Sequence, residues 1–166
     1  MRQMAEGIFI QEFIPIYQSQ VTDHILDIEN NEFNMNLTLD MQPDLADIHA
    51  MYQKQKGNFW IALHDDQVIG TTGIYYLNNS GVELRRMFVK ATYRGNEFGV
   101  GQHLLDSAIS WTKENGFKEI FLETTDWLTA ASRFYLKNNF TYISKDKLPR
   151  NLPVLRNSGK FMSLLV

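Results

Sequence analysis

VELRRMFVKATYRGNEFGVGQHLLDSAISWTKENGFKEIFLET, residues 82–124, is the stretch whose reading decides the fold. Residues 82–89 mix β-branched, aromatic and charged side chains and read as a strand. Regular alternation would place Glu83, Arg85, Met87 and Val89 on one face, and Leu84, Arg86 and Phe88 on the other. Residues 101–115 carry Leu104, Leu105, Ala108 and Ile109 at helical spacing and stop at Gly116, a residue suited to a helix C-terminus. Residues 118–124 form a second strand. A strand, a helix and a strand in one unit imply a right-handed crossover that sets the two strands parallel. Between the first strand and the helix lies Tyr93-Arg94-Gly95-Asn96-Glu97-Phe98-Gly99-Val100-Gly101. Glycines there let the backbone approach a ligand and turn amide groups outward. The helix start adds roughly half a positive charge, and Arg94 can add a full one. Such a junction suits a pyrophosphate or similar anion. A tight strand–helix turn with a surface arginine is the plainer reading of the same residues.

Working outward, residues 58–64 (NFWIALH) are followed by the turn signal Asp65-Asp66 and by a strand over 68–77. Asn78-Asn79-Ser80-Gly81 makes the next turn, into 82–89. These connections are too short for a parallel crossover, so the three strands pair antiparallel. Upstream, 8–14 reads as a first strand ending before Pro15. A helix over 18–30 carries Val21, Ile25 and Ile28, and a helix over 43–55 carries Leu45, Ile48, Met51 and Tyr52, with Pro43 in its first turn. Downstream, 129–138 reads as a helix, 140–144 as a strand, 148–158 as a long loop and 161–166 as a closing strand. The expected fold is α/β: a mixed, mostly antiparallel central sheet with one parallel pair and helices on both faces, in a single domain.

Composition excludes several function classes. The chain has 166 residues, 44% hydrophobic and 21% charged, in the range of one ordinary globular domain. A net charge of −3 with no basic stripe argues against nucleic acid as a partner. The absence of cysteine excludes disulfides, thiolate metal sites and a catalytic thiol, and fits a reducing compartment. His24, His49, His64 and His103 are scattered without metal-ligand spacing, so no metal is expected and they read as surface or turn residues. No apolar run approaches the ~18 residues of a membrane span, and the start is too polar for a secretory signal. A soluble cytoplasmic protein, away from the membrane, is the expectation.

Residues 82–124 resemble the acetyl-CoA-binding segment of GNAT acetyltransferases, in which a strand ending in valine precedes Arg/Gln-x-x-Gly-x-Gly/Ala at a helix start. TAASRFYLKNNF, residues 129–140, resembles the second GNAT element, Ala-x-x-x-Tyr-x-x-x-Gly-Phe. The likeness covers roughly 58–147, with both elements in order. Two departures stand out. Counting back from the helix aligns Gly99-Val100-Gly101 with Gly-x-Gly and puts Asn96 where Arg or Gln is usual. Counting forward from Val89 puts Arg94 there and Glu97 on a glycine position. A two-residue insertion accounts for both counts. Asn139 replaces the second element's glycine, and asparagine is the best substitute in a left-handed helix end.

The resemblance implies an N-acetyltransferase that moves the acetyl group of acetyl-CoA to a primary amine of a small molecule or protein by direct attack. The other reading is a GNAT-fold module that binds acyl-CoA without catalysis. The resemblance implies that the sheet splays between the strand ending at Val89 and the strand holding Phe121, Leu122 and Glu123, and that the pantetheine arm enters there. Backbone groups near Phe88 and Val89 would bind the arm and the thioester carbonyl. Arg94, Gly95, Asn96, Phe98, Gly99, Val100 and Gly101 would surround the phosphates. Tyr135 matches the tyrosine that protonates the departing thiolate, although a tyrosine beside Phe134 also reads as core. Glu83 is the candidate general base, or else a partner of Arg85 or Arg86, and Glu123 is its rival. Tyr75, Tyr76 and Trp127 border the acceptor pocket or simply pack. Lys145, Lys147, Arg150, Arg156 and Lys160 read as a solvated basic tail. A homodimer through the C-terminal strands would be usual for the family. Segments 16–56 and 148–160, which shape the acceptor pocket, carry no chemical signature.

Overall fold

The computed structural model describes residues 2–3, 5, 7–125, 129–152 and 159–166. Its strands are β1 (Arg2–Gln3), β2 (Ile8–Glu12), β3 (Asn58–His64), β4 (Gln67–Tyr76), β5 (Gly81–Val89), β6 (Glu119–Thr124), β7 (Thr141–Ile143) and β8 (Lys160–Leu165). Its helices are α1 (Gln18–Asp27), α2 (Val100–Glu114) and α3 (Thr129–Lys137). The strands form one sheet in the order β1-β2-β3-β4-β5-β6-β8-β7. β5 and β6 pair parallel, joined by α2 as the crossover; the other pairings among the described residues are antiparallel.

Local chemistry explains the meander. Asp65 and Asp66 both take positive φ, 51° and 60°, the pair of values that matches a two-residue hairpin turn to strand twist. One sheet face carries α2 and α3 over Trp60, Ala62, Ile69, Leu84 and Leu122. The opposite face carries α1 and the segment after it over Phe59, Ile61, Leu63 and Val68. Gly70 of β4 lies directly under α2: a Cβ there would stand 3.0 Å from both Leu104 Cδ1 and Val100 Cγ1. That close approach brings the first turn of α2 down onto the sheet.

Two expectations are corrected. The helix expected over 43–55 is broken into a tight turn at Pro43–Leu45 and a wide helical turn at His49–Gln53. Side chains take the backbone groups that would have continued it. Gln18 donates to Leu45 O at 2.7 Å and accepts from Ile48 N at 3.0 Å, while Asp47 accepts from Ala50 N at 3.0 Å.

The second correction is to regular alternation in β5. Thr71 pairs with Phe88 but Gly73 pairs with Arg85, so Thr72 faces an extra residue and the strand bulges. Arg86 takes φ 59°, and the hydroxyls of Thr71 and Thr72 donate to the carbonyls of Arg86 and Arg85 at 2.8 and 3.4 Å. The extra residue reverses the faces beyond it. Leu84, Met87 and Val89 pack on the α2 side, while Phe88 packs on the α1 side and Arg85 and Arg86 reach Tyr75 and Asp44 there.

β5 and β6 pair only at Gly81↔Glu119, Val82↔Ile120 and Glu83↔Phe121. Beyond Glu83 the two strands part, while β6 keeps its ladder with β8 to Thr124.

Candidate active site

The gap between the parted strands opens into a cavity of about 500 Å³. β5 contributes residues 83–88 to its wall and β6 contributes Leu122, Glu123 and Thr124; Ala131 and Tyr135 of α3 and the segment around Asp44 complete it. The bulge determines what faces this space, because it brings both arginines to the α1 side with Glu83.

Glu83 is 2% exposed and accepts a hydrogen bond from Arg85 Nε. Burial pushes its carboxyl above the ordinary value; Arg85 opposes the shift, and the charges of Glu123 and Asp44 reinforce it. Arg85 lies 3.9 Å over the ring of Tyr75. Arg86 grips Asp44 with two hydrogen bonds, of 2.7 and 3.0 Å, and donates to Gln42 at 2.5 Å. Burial alone would raise the Asp44 carboxyl, but Arg86 and the Tyr52 hydroxyl, 2.5 Å away, hold it below the usual value.

Tyr135, 8% exposed, brings its phenol to the cavity from α3, and burial pushes that phenol well above its ordinary pKa. It therefore stays protonated and can donate. Its neighbour Phe134 is packing, with its ring end 3.9 Å from where a Cβ on Gly101 would sit.

The bend before α2 fits the count made back from the helix. The additional residues form a turn closed by Gly99 N–H donating to Gly95 O at 3.2 Å, so Gly99-Val100-Gly101 starts the helix. Gly99 sits at φ 65°, a left-handed conformation that glycine adopts without strain. No side chain caps α2. A helix's first-turn amides lack acceptors within the helix itself, so this end offers donors to an anion. The first turn lies over the end of β5: a Cβ on Gly101 would be 3.8 Å from Val89 Cγ2.

The other residues expected at the phosphates have partners or exposure of their own. Asn96 is exposed in the turn, and the Phe98 ring packs on Tyr93 at 5.5 Å. Arg94 is engaged inward. Its Nη1 and Nη2 donate to the two carboxylate oxygens of Glu32 at 2.6 and 2.8 Å, and its Nε donates to Val89 O at 2.8 Å. At Val89 itself the direction of the amide follows from the ladder. Lys90 N–H donates to Ile69 O on β4, and strand groups alternate sides, so Phe88 also faces β4 and the Val89 N–H faces the gap.

Sequence reasoning missed His24. Expected at the surface, it is 5% exposed, and its Nε2 lies 3.0 Å from Phe88 O. Burial, aided by Lys90, outweighs that hydrogen bond and lowers the ring's pKa to about 4, so it is neutral. The signal was present: Val21, His24, Ile25 and Ile28 form one helical stripe. His64 and His103 also have defined partners, the Tyr93 hydroxyl at 2.6 Å and Gly99 O at 2.8 Å. Tyr75 borders the cavity, whereas Tyr76 packs on Phe117 on the other face. Trp127 and Arg156 lie outside the described residues. Among the described residues no cluster of His, Asp or Glu side chains suits a metal ion, and no helix is long and apolar enough to cross a membrane.

Comparison with known proteins fits this geometry: the profile of the Acetyltransferase (GNAT) family matches residues 22–140. The chain belongs to the GNAT acetyltransferase family. This GNAT chain is 30% identical over 104 residues to the uncharacterized N-acetyltransferase YjgM of Escherichia coli, a match covering 61% of each protein. Matched stretches make up 38% to 61% of the curated relatives' own length. A solved GNAT-family acetyltransferase from Staphylococcus aureus superposes with a TM-score of 0.88 at 34% identity, over 95% of this chain and 98% of that one. A GNAT-family acetyltransferase from Elizabethkingia anophelis, solved with acetyl-CoA bound, shares the fold at a TM-score of 0.63 and 18% identity, over 97% of this chain and 99% of its own. The parted β5 and β6 and the tyrosine on α3 are the parts this GNAT domain brings to one cavity, and the open start of α2 sits over the end of β5.

Proposed function

We propose that this GNAT protein transfers the acetyl group of acetyl-CoA to a primary amine by direct attack. The observation that carries the reading is the parting of β5 and β6 after Glu83, with the gap running beneath an uncapped helix start. The amides of Val100 and Gly101 hold the diphosphate; Gly99, whose own N–H closes the turn onto Gly95 O, lies with Gly95 and Asn96 at its rim. The pantetheine arm lies along Phe88 and Val89, and the Val89 N–H donates to the thioester carbonyl. A donor aimed where negative charge develops is worth several kcal/mol in a water-poor site, about 2.7–4 for one such group.

In the transfer, the amine's nitrogen forms a bond to the acetyl carbon as the carbon–sulfur bond breaks. Glu83 takes the proton that the attacking ammonium must lose; a carboxyl raised by burial is better matched to that task near neutral pH than an ordinary one. Tyr135 gives its proton to the departing sulfur. The Glu83–Arg85 hydrogen bond favours a second reading, binding of acyl-CoA without turnover, since a carboxylate already holding a cation is a weaker base.

Release of free thiol from acetyl-CoA, measured across polyamines, aminoglycosides, amino acids and peptide N-termini, separates the readings. The acetyltransferase reading predicts amine-dependent thiol release that Tyr135→Phe lowers about 10²-fold or more in kcat, with cofactor affinity little changed. Acetyl-CoA binding with no thiol release from any amine supports the second reading, and no binding at millimolar CoA defeats both.

A further inference from the structure

We propose that His24 and the Glu32–Arg94 pair are positioning residues, which set the two peptide units at the end of β5 in the orientation that acyl transfer uses. The inference rests on the reading of the Val89 N–H as the thioester's hydrogen-bond donor.

The two tethers come from one element and act on consecutive carbonyls. His24, on α1, reaches Phe88 O at 3.0 Å. A carbonyl only accepts, so Nε2 carries the ring's proton; Nδ1, which has no partner among the described residues, is the bare nitrogen of that neutral tautomer. Glu32 closes the wide turn Ile28–Glu32 that continues α1. Both its oxygens hold the Arg94 fork, and Arg94 Nε donates to Val89 O at 2.8 Å.

Peptide geometry converts these contacts into a functional constraint. The Phe88 carbonyl and the Val89 N–H belong to one rigid trans peptide plane and point in opposite directions. Holding that carbonyl on the β4 side, where His24 also reaches it, therefore aims the Val89 N–H into the gap. The Val89 carbonyl belongs to the next plane, and Arg94 fixes it in turn. The tethers act where the strand needs them. β5 has lost its β6 neighbour beyond Glu83, so only β4 steadies this end through the ladder. Arg94 thus serves the peptide next to the one that meets the acetyl group, and its charge is already matched by Glu32.

The test compares affinities for CoA and for acetyl-CoA by calorimetry, because only the second ligand carries the carbonyl that Val89 would meet. The amide signal of Val89 is followed by NMR in the same samples. Wild-type protein should shift that signal further with acetyl-CoA than with CoA. His24→Leu should lower the preference for acetyl-CoA over CoA by about 2- to 10-fold, the worth of one net hydrogen bond, while leaving CoA affinity itself intact. His24→Gln, whose amide can donate to the same carbonyl, should restore it. Glu32→Ala, a change at a partly exposed pair that the fold tolerates more readily, should lower it about twofold or more. An unchanged preference and an unchanged Val89 signal in both His24→Leu and Glu32→Ala overturn this inference alone. Failure of the wild-type chain to bind CoA overturns the acetyltransferase reading and this inference with it.

Discussion

Glu83 is a carboxylate pulled two ways, and its pH behaviour reports which pull matters in turnover. Burial raises its carboxyl, with Glu123 and Asp44 adding to the rise, while Arg85 draws it down. The ionised form is the one that accepts a proton. Rate should therefore be full above the folded pKa and fall as pH drops through it. The acid limb of kcat/KM should lie above the ordinary glutamate value of about 4.3, and Glu83→Gln should erase that limb and lower kcat about 10²-fold or more. A limb that persists in Glu83→Gln would move the base to Glu123. At this scale Tyr135 was legible as a candidate from its motif position and Glu83 from its place on the strand that leads to the glycine-studded bend, and the structure puts both on the wall of one cavity. His24 was not legible. A lone histidine among helix polars reads as surface, and only its place on the Val21–Ile25–Ile28 stripe marked it as buried.

Among the elements, α2 and its preceding turn carry the anion site. Gly99 at φ 65° permits the chain to close the Gly95–Gly99 turn and enter the helix without a side-chain cap. Gly99→Ala should cost about 1–2 kcal/mol for the left-handed conformation, read as a lower Tm, and should weaken CoA binding in calorimetry because the amides lose their aim. An unchanged Tm and affinity would show that this backbone conformation is not needed. Element types were legible from hydrophobic period and turn residues: the hairpin at Asp65-Asp66, the stop at Gly116 and the β5–α2–β6 crossover all stand. The β5 bulge was not. Nothing in Arg85-Arg86 marks a left-handed residue. The grips on it come from Thr71 and Thr72 on the neighbouring strand and from Asp44 and Gln42, distant in sequence. The broken 43–55 helix failed for the same reason, since Gln18 takes its backbone groups from outside the segment.

For the whole molecule, topology creates the site. An antiparallel meander and a crossover unit meet at a strand pair that joins for three residues and then separates, and Glu83, Glu123 and Tyr135 lie on the walls of the cavity there, with the first turn of α2 over Val89. The antiparallel meander and the parallel β5–β6 pair followed from connection lengths and crossover handedness, but the placing of β8 between β6 and β7 did not. The lining of the cavity did not either, because segment 37–51 contributes to it through turns and long-range polar contacts that no local pattern encodes.

The most direct test is a titration of isotope-labelled protein with CoA and then acetyl-CoA, followed at backbone amides. Large shifts at Val100 and Gly101 with either ligand, and a further shift at Val89 when acetyl-CoA replaces CoA, are predicted. Silence at these amides at millimolar ligand, or shifts confined to other surfaces, would contradict the account.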